Sequence, residues 1–219
     1  MKQALVIGAR GGIGSAMVQE LGARGYNVTP VSRSVDGLDV TDPGSVDRVL
    51  GAVEGPFDLI CVAIGTLAVG GAPEKTLEAV EAQQMLDVYA VNAVGPTLIL
   101  RHVERLLPRD GPSVVGVLSA RVGSIGDNKI GGWYSYRASK AALNQIVHGA
   151  AIEIGRKRKQ AAIVALHPGT VETPFTEGYP GHKKVAASQA ASNLCDVMEG
   201  FGPEQTGQFF DYAGEGVPW

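Results

Sequence analysis

The first residues of the chain limit its fold more strongly than any other segment. A short apolar run from Ala4 to Ile7 leads directly into the glycine-rich turn of residues 8–14, and a helical pattern follows from Gly12 to Arg24. Such a turn needs glycine where φ is positive and where backbones approach closely, and the free N–H groups at the start of the helix suit a pyrophosphate. The segment therefore predicts a nucleotide-binding unit. Its candidate cofactor-binding residues are Gly8, Arg10, Gly12, Ile13 and Gly14.

The rest of the chain alternates short Val-, Ile- and Leu-rich runs with longer segments of helical period. This alternation is typical of parallel strands joined by helical crossovers. It predicts an α/β fold with a doubly wound, Rossmann-type parallel sheet, in a single three-layer α/β/α domain over residues 1–219. The predicted strands are Ala4 to Ile7, Asn27 to Ser32, Leu59 to Ala63, Val114 to Ser119, Ala162 to His167 and Gln208 to Phe210. The predicted helices are Gly12 to Arg24, Pro43 to Val53, Glu81 to Leu107, Tyr134 to Arg158 and Ala187 to Gly200.

Composition and charge narrow the functional classes. The formal net charge is -3, without the basic stripe of nucleic-acid binders, and no apolar run approaches the roughly 18 residues of a membrane span. The first apolar run ends at Gly8, too early for the core of a signal peptide. Cys61 and Cys195 show no disulfide or zinc spacing, and the histidines form no metal-ligand pair. We therefore expect a cytoplasmic protein with no catalytic metal, no nucleic-acid partner and no membrane contact.

The end of the second predicted strand indicates which nucleotide is preferred. An NAD-binding fold usually places an acid there, which holds the adenosine ribose and repels a 2′-phosphate, whereas this chain has Ser32 and Arg33. Ser32 can donate a hydrogen bond, and Arg33 can pair with a phosphate in a fork geometry. Arg10 could add a second positive charge, although each arginine could also be a solvated surface charge. We expect NADP (NADPH) to be preferred over NAD.

Tyr136 and Lys140 form the most informative pair. A four-residue spacing places the phenol and the ammonium on one face of a helix, one turn apart. A phenol with a pKa of about 10 exchanges protons poorly at neutral pH unless a fixed positive charge stabilises its phenolate, and Lys140 can supply that charge. The pair could also be a half-buried tyrosine beside a surface lysine. Its place after a strand of a dinucleotide-type sheet favours a catalytic role.

Several motifs together resemble the short-chain dehydrogenase/reductase family. They are the glycine turn with its Gly-x-x-x-Gly-x-Gly spacing, Asn92 within residues 91–95, the Tyr136/Lys140 pair, and residues 167–173 with the sequence His-Pro-Gly-Thr-Val-Glu-Thr. Their order and spacing match the family over nearly the whole chain. Residues 123–125 and 131–136 and the ending from Phe209 to Trp219 look closest to its C-factor-like and sniffer-like carbonyl reductase members.

The resemblance implies roles for individual residues. Tyr136 would exchange a proton with the substrate oxygen, Lys140 would hold the nicotinamide ribose and lower the pKa of Tyr136, and Asn92 would order a water in the proton relay. A homo-oligomer, either a dimer or a tetramer, is also implied. The residues that would border the nicotinamide are Pro168, Gly169, Val171 and Thr173.

The resemblance is less complete at the adenine end. Asp39 and Val40 are similar to the pair that contacts adenine, although Asp39 could equally serve the turn before Pro43. The family usually has Asn-Asn-Ala-Gly where residues 62–65 of this chain read Val-Ala-Ile-Gly. Backbone contacts to adenine and ribose could persist with apolar side chains, so we expect altered packing rather than lost cofactor binding. The residues expected to make these contacts are Ala63, Ile64 and Gly65.

The catalytic serine is the more important departure. The family usually places it three residues before the glycine found here as Gly123, where this chain has Ala120. A hydrogen-bond donor worth roughly 2–4 kcal/mol of transition-state stabilisation would be lost there. Ser119 or Ser124 could substitute. We favour Ser119, although adjacent strand residues point to opposite faces and a bulge or twist would have to turn it inward.

Residues 170–187 form a candidate substrate lid. The glycines and prolines of this stretch prevent regular structure over a length that compact domains seldom leave idle, although an ordinary surface excursion has the same composition. Aromatic residues nearby could line a pocket for an apolar compound, or could pack the lid or a subunit contact. These aromatic residues are Trp133, Tyr134, Phe175 and Tyr179.

Two functions from different classes fit these features. The leading one is an NADP-dependent oxidoreductase that transfers a hydride between NADPH and a small carbonyl or alcohol substrate. The alternative is a cofactor-binding regulatory or signalling protein with weak or no turnover, which Ala120 would permit and which the retained Tyr136, Lys140 and Asn92 argue against. A methyltransferase could use a similar sheet and glycine turn, but it would not explain Tyr136, Lys140 or Arg33.

Overall fold

Six parallel strands form the central sheet. The computed structural model describes residues 1–176 and 184–219, and in it the strands follow the order β2-β1-β3-β4-β5-β6. They are β1 Gln3–Ile7, β2 Asn27–Val31, β3 Leu59–Val62, β4 Ser113–Leu118, β5 Ala161–His167 and β6 Phe209–Asp211. All six predicted strands are present, with ends that differ by at most one residue.

Helices cover both faces of this sheet, as predicted. Apolar side chains alternate along β1, so that Leu5 packs on one face and Val6 on the other, and both are fully buried. The helices are α1 Gly12–Ala23, α2 Arg33–Asp36, α3 Pro43–Gly51, α4 Ala82–Tyr89, α5 Gly95–Leu106, α6 Tyr134–Gly155 and α7 Ala187–Glu199. α1 and α7 pack on the Val6 face, and α3, α5 and α6 pack on the Leu5 face. The doubly wound α/β prediction is therefore confirmed.

One predicted helix is interrupted. The pattern from Glu81 to Leu107 predicted a single α-helix, whereas the structure has α4, a π-helical turn at Ala90–Val94 and then α5. Hydrophobic periodicity does not distinguish a π turn from an α turn, because one extra residue shifts the pattern only locally. The π turn contains Asn92, a predicted site residue, and π turns often occur at functional sites.

The strand order creates a crevice at the carboxyl ends of the central strands. The chain passes from β1 outward to β2 and returns to the other side of β1 as β3, so neighbouring crossovers leave in opposite directions. At such a switch point the helices diverge beyond the carboxyl ends of the strands, and ligands bind there in open α/β sheets. The ends of β1 and β3 therefore mark where a functional site should lie.

The two ends of the predicted lid are joined. Glu172 N–H donates to Val185 O at 2.9 Å and Val185 N–H donates to Thr170 O at 3.0 Å, which forms a short parallel bridge. Pro174–Thr176 forms a 3-10 turn. Residues 177–183, including Tyr179 and His182, lie outside the described residues, so the lid stays a prediction.

Membrane-spanning helices and metal-ligand clusters are both absent from residues 1–176 and 184–219. No helix in this part of the chain has the length and apolar character needed to cross a membrane. The same residues contain no cluster of three or more His, Cys, Asp or Glu side chains arranged to hold a metal ion.

Replacing Leu5 with alanine tests the packing of the core. Leu5→Ala should lower the free energy of unfolding by about 2–5 kcal/mol, because the side chain is fully buried under the helices and its loss leaves a cavity. Leu77→Ala is the matched control, since Leu77 is 71% exposed, and it should change the stability by less than about 0.5 kcal/mol. Denaturant unfolding measures both. Equal effects of the two substitutions would contradict the described core.

Candidate functional site

A cavity of about 560 Å³ opens at the crevice. The glycine turn, the ends of β3, β4 and β5, and the start of α6 contribute its walls. Most of the predicted catalytic and nicotinamide-side residues therefore meet in one place. The lining residues are Arg10 to Gly14, Ala63 to Gly65, Leu67, Leu118 to Val122, Trp133, Tyr136, Lys140, His167 to Val171, and Thr173 to Thr176.

The glycine turn owes its shape to backbone contacts that no side chain could share. Gly8 has a φ of 91°, and a Cβ atom there would lie 2.4 Å from Ala63 O. A Cβ atom on Gly14 would lie 2.1 Å from Gly8 O. Both positions therefore require glycine, as the sequence predicted. The turn brings the first residues of α1 against the end of β3.

The start of α1 is open to the cavity. Gly12, Ile13 and Gly14 all line it, and among the described residues no side chain caps the helix at Gly11. The first N–H groups of a helix have no partner within the helix and carry the positive end of its dipole. An anion at this end of the cavity would find donors already directed towards it.

Ser32 caps a short helix at the end of β2, and its contact with a phosphate stays a prediction. Its buried hydroxyl donates to Asp36 Oδ2 at 3.2 Å and accepts from Val35 N–H, so it caps the short helix α2. Asp36 also accepts from Ser32 N–H at 2.7 Å, which places a carboxylate at the end of β2. The sequence analysis overlooked Asp36, although a carboxylate four residues after a capping serine is a signal of this contact. Arg33 and Arg10 are exposed at the surface.

Asp39 and Val40 lie outside the cavity lining. The Asp39 carboxylate accepts from Thr41 Oγ1 at 2.7 Å and from Thr41 N–H at 2.9 Å. These two bonds, with a smaller effect of the Arg33 charge, lower the pKa of Asp39. Asp39 thus serves the turn before Pro43, the role that was left open, and Val40 is buried beside α5. Contact of either residue with adenine stays a prediction.

Asn92 ties three parts of the site together. Its side chain is fully buried, with Oδ1 accepting from Thr66 N–H at 2.7 Å and Nδ2 donating to Thr66 O at 2.8 Å. Nδ2 also donates to Ser139 Oγ at 3.0 Å, on α6. The amide therefore fixes the segment after β3 against the helix that carries Tyr136. Its predicted role in ordering a water is untested by this geometry.

Tyr136 and Lys140 are both buried at the cavity wall, with exposures of 6% and 2%. Lys140 Nζ donates to Leu118 O at 3.0 Å and passes close to Gly65, where an added Cβ atom would lie 3.2 Å from it. Burial lowers the pKa of Lys140 to about 7, because desolvation disfavours the ammonium. Burial also raises the pKa of Tyr136. Desolvation of the phenolate therefore dominates the shift of the Tyr136 pKa, and the lowering of this pKa by Lys140 stays a prediction.

Three aromatic side chains form one wall of the cavity. The ring of Tyr136 meets Trp133 edge-on at 6.2 Å between centroids and Phe175 edge-on at 5.9 Å. Trp133 has a φ of 52°, a left-handed conformation that costs a non-glycine residue roughly 1–2 kcal/mol. The predicted pocket role holds for Trp133 and Phe175, whereas Tyr134 lies outside the lining residues.

The two candidate serines lie in different environments. Ser119 lines the cavity, but its hydroxyl donates to Asn144 Oδ1 on α6 at 2.6 Å. Ser124 is buried outside the lining residues, where its hydroxyl accepts from Asp127 N–H. Ala120 lines the cavity at the position of the missing hydroxyl. Both Ser119 and Ala120 follow the last residue of β4 and both line the cavity, so strand alternation does not exclude Ser119 from the site.

His167 was not singled out by the sequence analysis, yet it lines the cavity at the end of β5. Its buried Nδ1 has no hydrogen-bond partner among the described residues. Burial lowers the pKa of His167 to about 4, so the ring is neutral at physiological pH. The predicted nicotinamide-side residues follow it in the lining. These residues are Pro168, Gly169, Val171 and Thr173.

A family comparison matches most of the chain. The profile described as enoyl-(acyl carrier protein) reductase, of the short-chain dehydrogenase type, matches residues 8–199. This range includes the glycine turn, Asn92, the Tyr136/Lys140 pair and the segment after β5.

Two curated relatives differ in what their names describe. The 1-hydroxy-2-glutathionyl-2-methyl-3-butene dehydrogenase of Rhodococcus sp. (strain AD45) is 29% identical over 100% of both chains. The C-signal protein of Myxococcus xanthus is 34% identical over 75% of this chain and 94% of its own. One name describes an enzyme and the other a signal, the same two classes that the sequence left open.

Solved structures share the fold over the full length. A short-chain dehydrogenase/reductase of Burkholderia multivorans, solved with NADP bound, is 27% identical with a TM-score of 0.83, over 100% of this chain and 99% of that one. The carbonyl reductase Sniffer of D. melanogaster has a TM-score of 0.82 over 100% of both chains at 21% identity, which shows the fold alone.

Two glycine-to-alanine substitutions on α1 distinguish a glycine that the turn requires from one that only lowers helix stability. Gly14→Ala should destabilise the protein strongly, because the new Cβ atom meets the Gly8 carbonyl. Gly22→Ala adds a methyl group where nothing lies within 4 Å, and it should stabilise the helix by about 0.5–1 kcal/mol. Thermal unfolding gives both changes. A Gly14→Ala variant as stable as wild type would show that the turn has another shape.

The burial of Lys140 predicts how stability depends on pH. With a folded pKa of about 7, the folded protein loses this proton before the unfolded chain does. The unfolded chain therefore binds more protons between pH 7 and 10, and the free energy of unfolding should rise there by up to roughly 1.4 kcal/mol per pH unit. Lys140→Met removes the group and should flatten this rise in denaturant unfolding. Parallel curves for wild type and variant would contradict the burial of the ammonium.

Proposed function

The chain belongs to the short-chain dehydrogenase/reductase family, and from this premise we propose that it is an NADP-dependent oxidoreductase. It would transfer a hydride between NADPH and a small carbonyl or alcohol substrate. The observation that carries the proposal is the burial of Tyr136 and Lys140 together in the wall of a cavity that also contains the glycine turn. The alternative interpretation was a surface lysine beside a half-buried tyrosine. Lys140 is only 2% exposed, which does not fit a surface lysine.

The residues at the glycine turn fit a dinucleotide. Gly8 and Gly14 leave room for a close backbone approach, and the open start of α1 suits a pyrophosphate. The exposed guanidinium groups of Arg10 and Arg33 favour the additional phosphate of NADP. Asp36 acts against this preference, because its carboxylate would repel a 2′-phosphate. The Burkholderia multivorans neighbour, solved with NADP bound, supports the choice of NADP.

The chain's own residues would handle the proton while the nicotinamide, when bound, supplies the hydride. Tyr136 would pass its phenolic proton to the substrate oxygen during reduction and recover it during oxidation. The raised pKa keeps the phenol protonated at neutral pH, and a positive charge held beside it would ease the release of its proton. Lys140 would hold the ribose of the cofactor, and the apolar wall around both residues would exclude water. Asn92 would keep the segment after β3 in register with α6.

Ser119 is the proposed donor to the substrate oxygen, because it is the serine of the cavity wall and Ala120 has no hydroxyl. The present bond from Ser119 to Asn144 would have to be exchanged for one to the substrate. Without a donor at this position, turnover would be slow. This point separates the proposal from the second candidate function.

The second candidate is a cofactor-binding regulatory or signalling protein with weak or no turnover. Ala120 at the serine position favours it, and so does the relative named C-signal. Binding of the nucleotide would then be the activity itself. The candidates differ in whether a bound nucleotide is consumed.

Titration with NADPH and NADH, followed by nicotinamide fluorescence, tests the nucleotide preference. Wild type should bind NADPH more tightly, and Arg33→Ala should lose most of this preference because a phosphate partner is removed. Arg156→Ala, at the far end of α6, is the matched control and should leave both affinities unchanged. If wild type bound neither NADPH nor NADH, both candidate functions would be ruled out.

Turnover with a panel of carbonyl compounds then decides between the candidates. Tyr136→Phe should lower kcat by about 10²–10⁴-fold while NADPH affinity is retained, because the phenyl ring keeps the wall but carries no proton. Oxidation of NADPH by wild type that disappears in Tyr136→Phe supports the reductase. Tight binding of NADPH with no turnover on the whole panel supports the regulatory protein.

A further inference from the structure

A buried carboxylate outside the cavity lies against the start of the catalytic helix. Glu74 belongs to the segment between β3 and α4 and is 4% exposed. A carboxylate is costly to bury unless its oxygens are hydrogen-bonded. Neither the sequence motifs nor the proposed proton transfer accounts for this side chain.

Both oxygens of the Glu74 carboxylate bind Ser135 in the first turn of α6. Oε1 accepts from Ser135 Oγ, and Oε2 accepts from Ser135 N–H at 3.3 Å. The backbone carbonyl of Glu74 accepts from Trp133 N–H at 2.5 Å. Trp133, the residue before the helix, provides no side-chain cap of its own. Glu74 therefore caps α6 from a distant part of the chain.

The chain enters α6 through three successive left-handed residues. Gly131, Gly132 and Trp133 have φ values of 69°, 66° and 52°. The two glycines adopt this conformation readily, but an aromatic residue keeps it only where its surroundings hold it. The bond from Trp133 N–H to Glu74 O and the bond from Arg137 Nε to Gly132 O at 3.0 Å hold this turn from both sides.

The constrained turn determines where the indole of Trp133 lies. The indole lines the cavity and meets the ring of Tyr136 edge-on. We propose that Glu74 is a positioning residue, which holds Trp133 against Tyr136 and so sets the shape of the cavity for aromatic or bulky apolar carbonyl compounds. This role rests on the proposed reductase function, but the position of the indole can be measured without turnover.

Quenching of Trp133 fluorescence by acrylamide measures that position directly. The chain has two tryptophans, so the measurement uses a Trp219→Phe background, in which Trp133 is the only emitter. Glu74→Ala keeps the backbone bond to Trp133 N–H but removes the carboxylate bonds to Ser135, the next residue but one, so the loosened start of α6 should expose the indole and increase the quenching. Glu78→Ala is the matched control, since Glu78 is exposed in the same segment, and it should leave the quenching unchanged. Equal quenching in all three proteins would overturn the proposal.

Kinetics with two aldehydes separates positioning from a general loss of structure. In Glu74→Ala, kcat/KM for benzaldehyde should fall about tenfold through KM, whereas that for propanal should change less than about twofold. On a Trp133→Ala background the Glu74→Ala substitution should have no further effect on this selectivity, because the residue through which it acts is absent. Equal losses for both aldehydes, or additive losses in the double variant, would overturn the proposal.

Milder variants keep the test decisive if Glu74→Ala does not fold. Ser135→Ala removes one partner of the carboxylate and keeps the N–H group, and Glu74→Gln retains an acceptor oxygen. Both should change quenching and selectivity in the same direction as Glu74→Ala but by less. If wild type consumes no compound of the carbonyl panel, the reductase function fails, and the quenching comparison still decides whether Glu74 positions Trp133.

Discussion

The close approach of backbone segments at the switch point is the constraint on which the rest of the site depends. The first turn of α1 lies against Gly8, and Gly8 lies against the end of β3, at distances that exclude a Cβ atom. Gly65, two residues beyond the Ala63 carbonyl that Gly8 approaches, leaves room for the Lys140 ammonium. A larger residue at any of these glycines would separate layers that the cavity needs side by side.

The helix α6 is held to this frame at several levels. Lys140 binds the Leu118 carbonyl at the end of β4, Asn144 binds Ser119 one turn further on, and Asn92 reaches Ser139 from the π turn. Two of these bonds join α6 to the end of β4, and the third joins it to the π turn. The position of Tyr136 therefore depends on several elements around the crevice. Replacing any one of the buried polar groups that hold α6 would leave its hydrogen-bond partner unsatisfied.

The sequence predicts most of the fold because its signals are local. Apolar runs and glycine positions determine the strands and the turn, and the spacing of Tyr136 and Lys140 follows from helix geometry. Contacts between distant residues were not predictable in this way. Glu74 meets Ser135 across 61 positions, and the sign of the Tyr136 pKa shift depends on how completely the site excludes water. Asn92 and Ser32 are intermediate between local patterns and long-range contacts. The sequence singled out both residues as site candidates, but it did not predict which groups they bind.

The joined ends of residues 170–187 have a consequence for how proteins of this fold can diverge. Because Val185 N–H donates to the Thr170 carbonyl, the ends of this segment are held together by a backbone bond that involves no residue of α6. Each doubling in length of such a loop costs only about 0.6 kcal/mol of closure entropy. Insertions and deletions there should therefore cost little closure entropy and leave the backbone of α6, with Tyr136 and Lys140, in place. New substrate ranges can arise in this fold by changes in loop length, without point substitutions in its core.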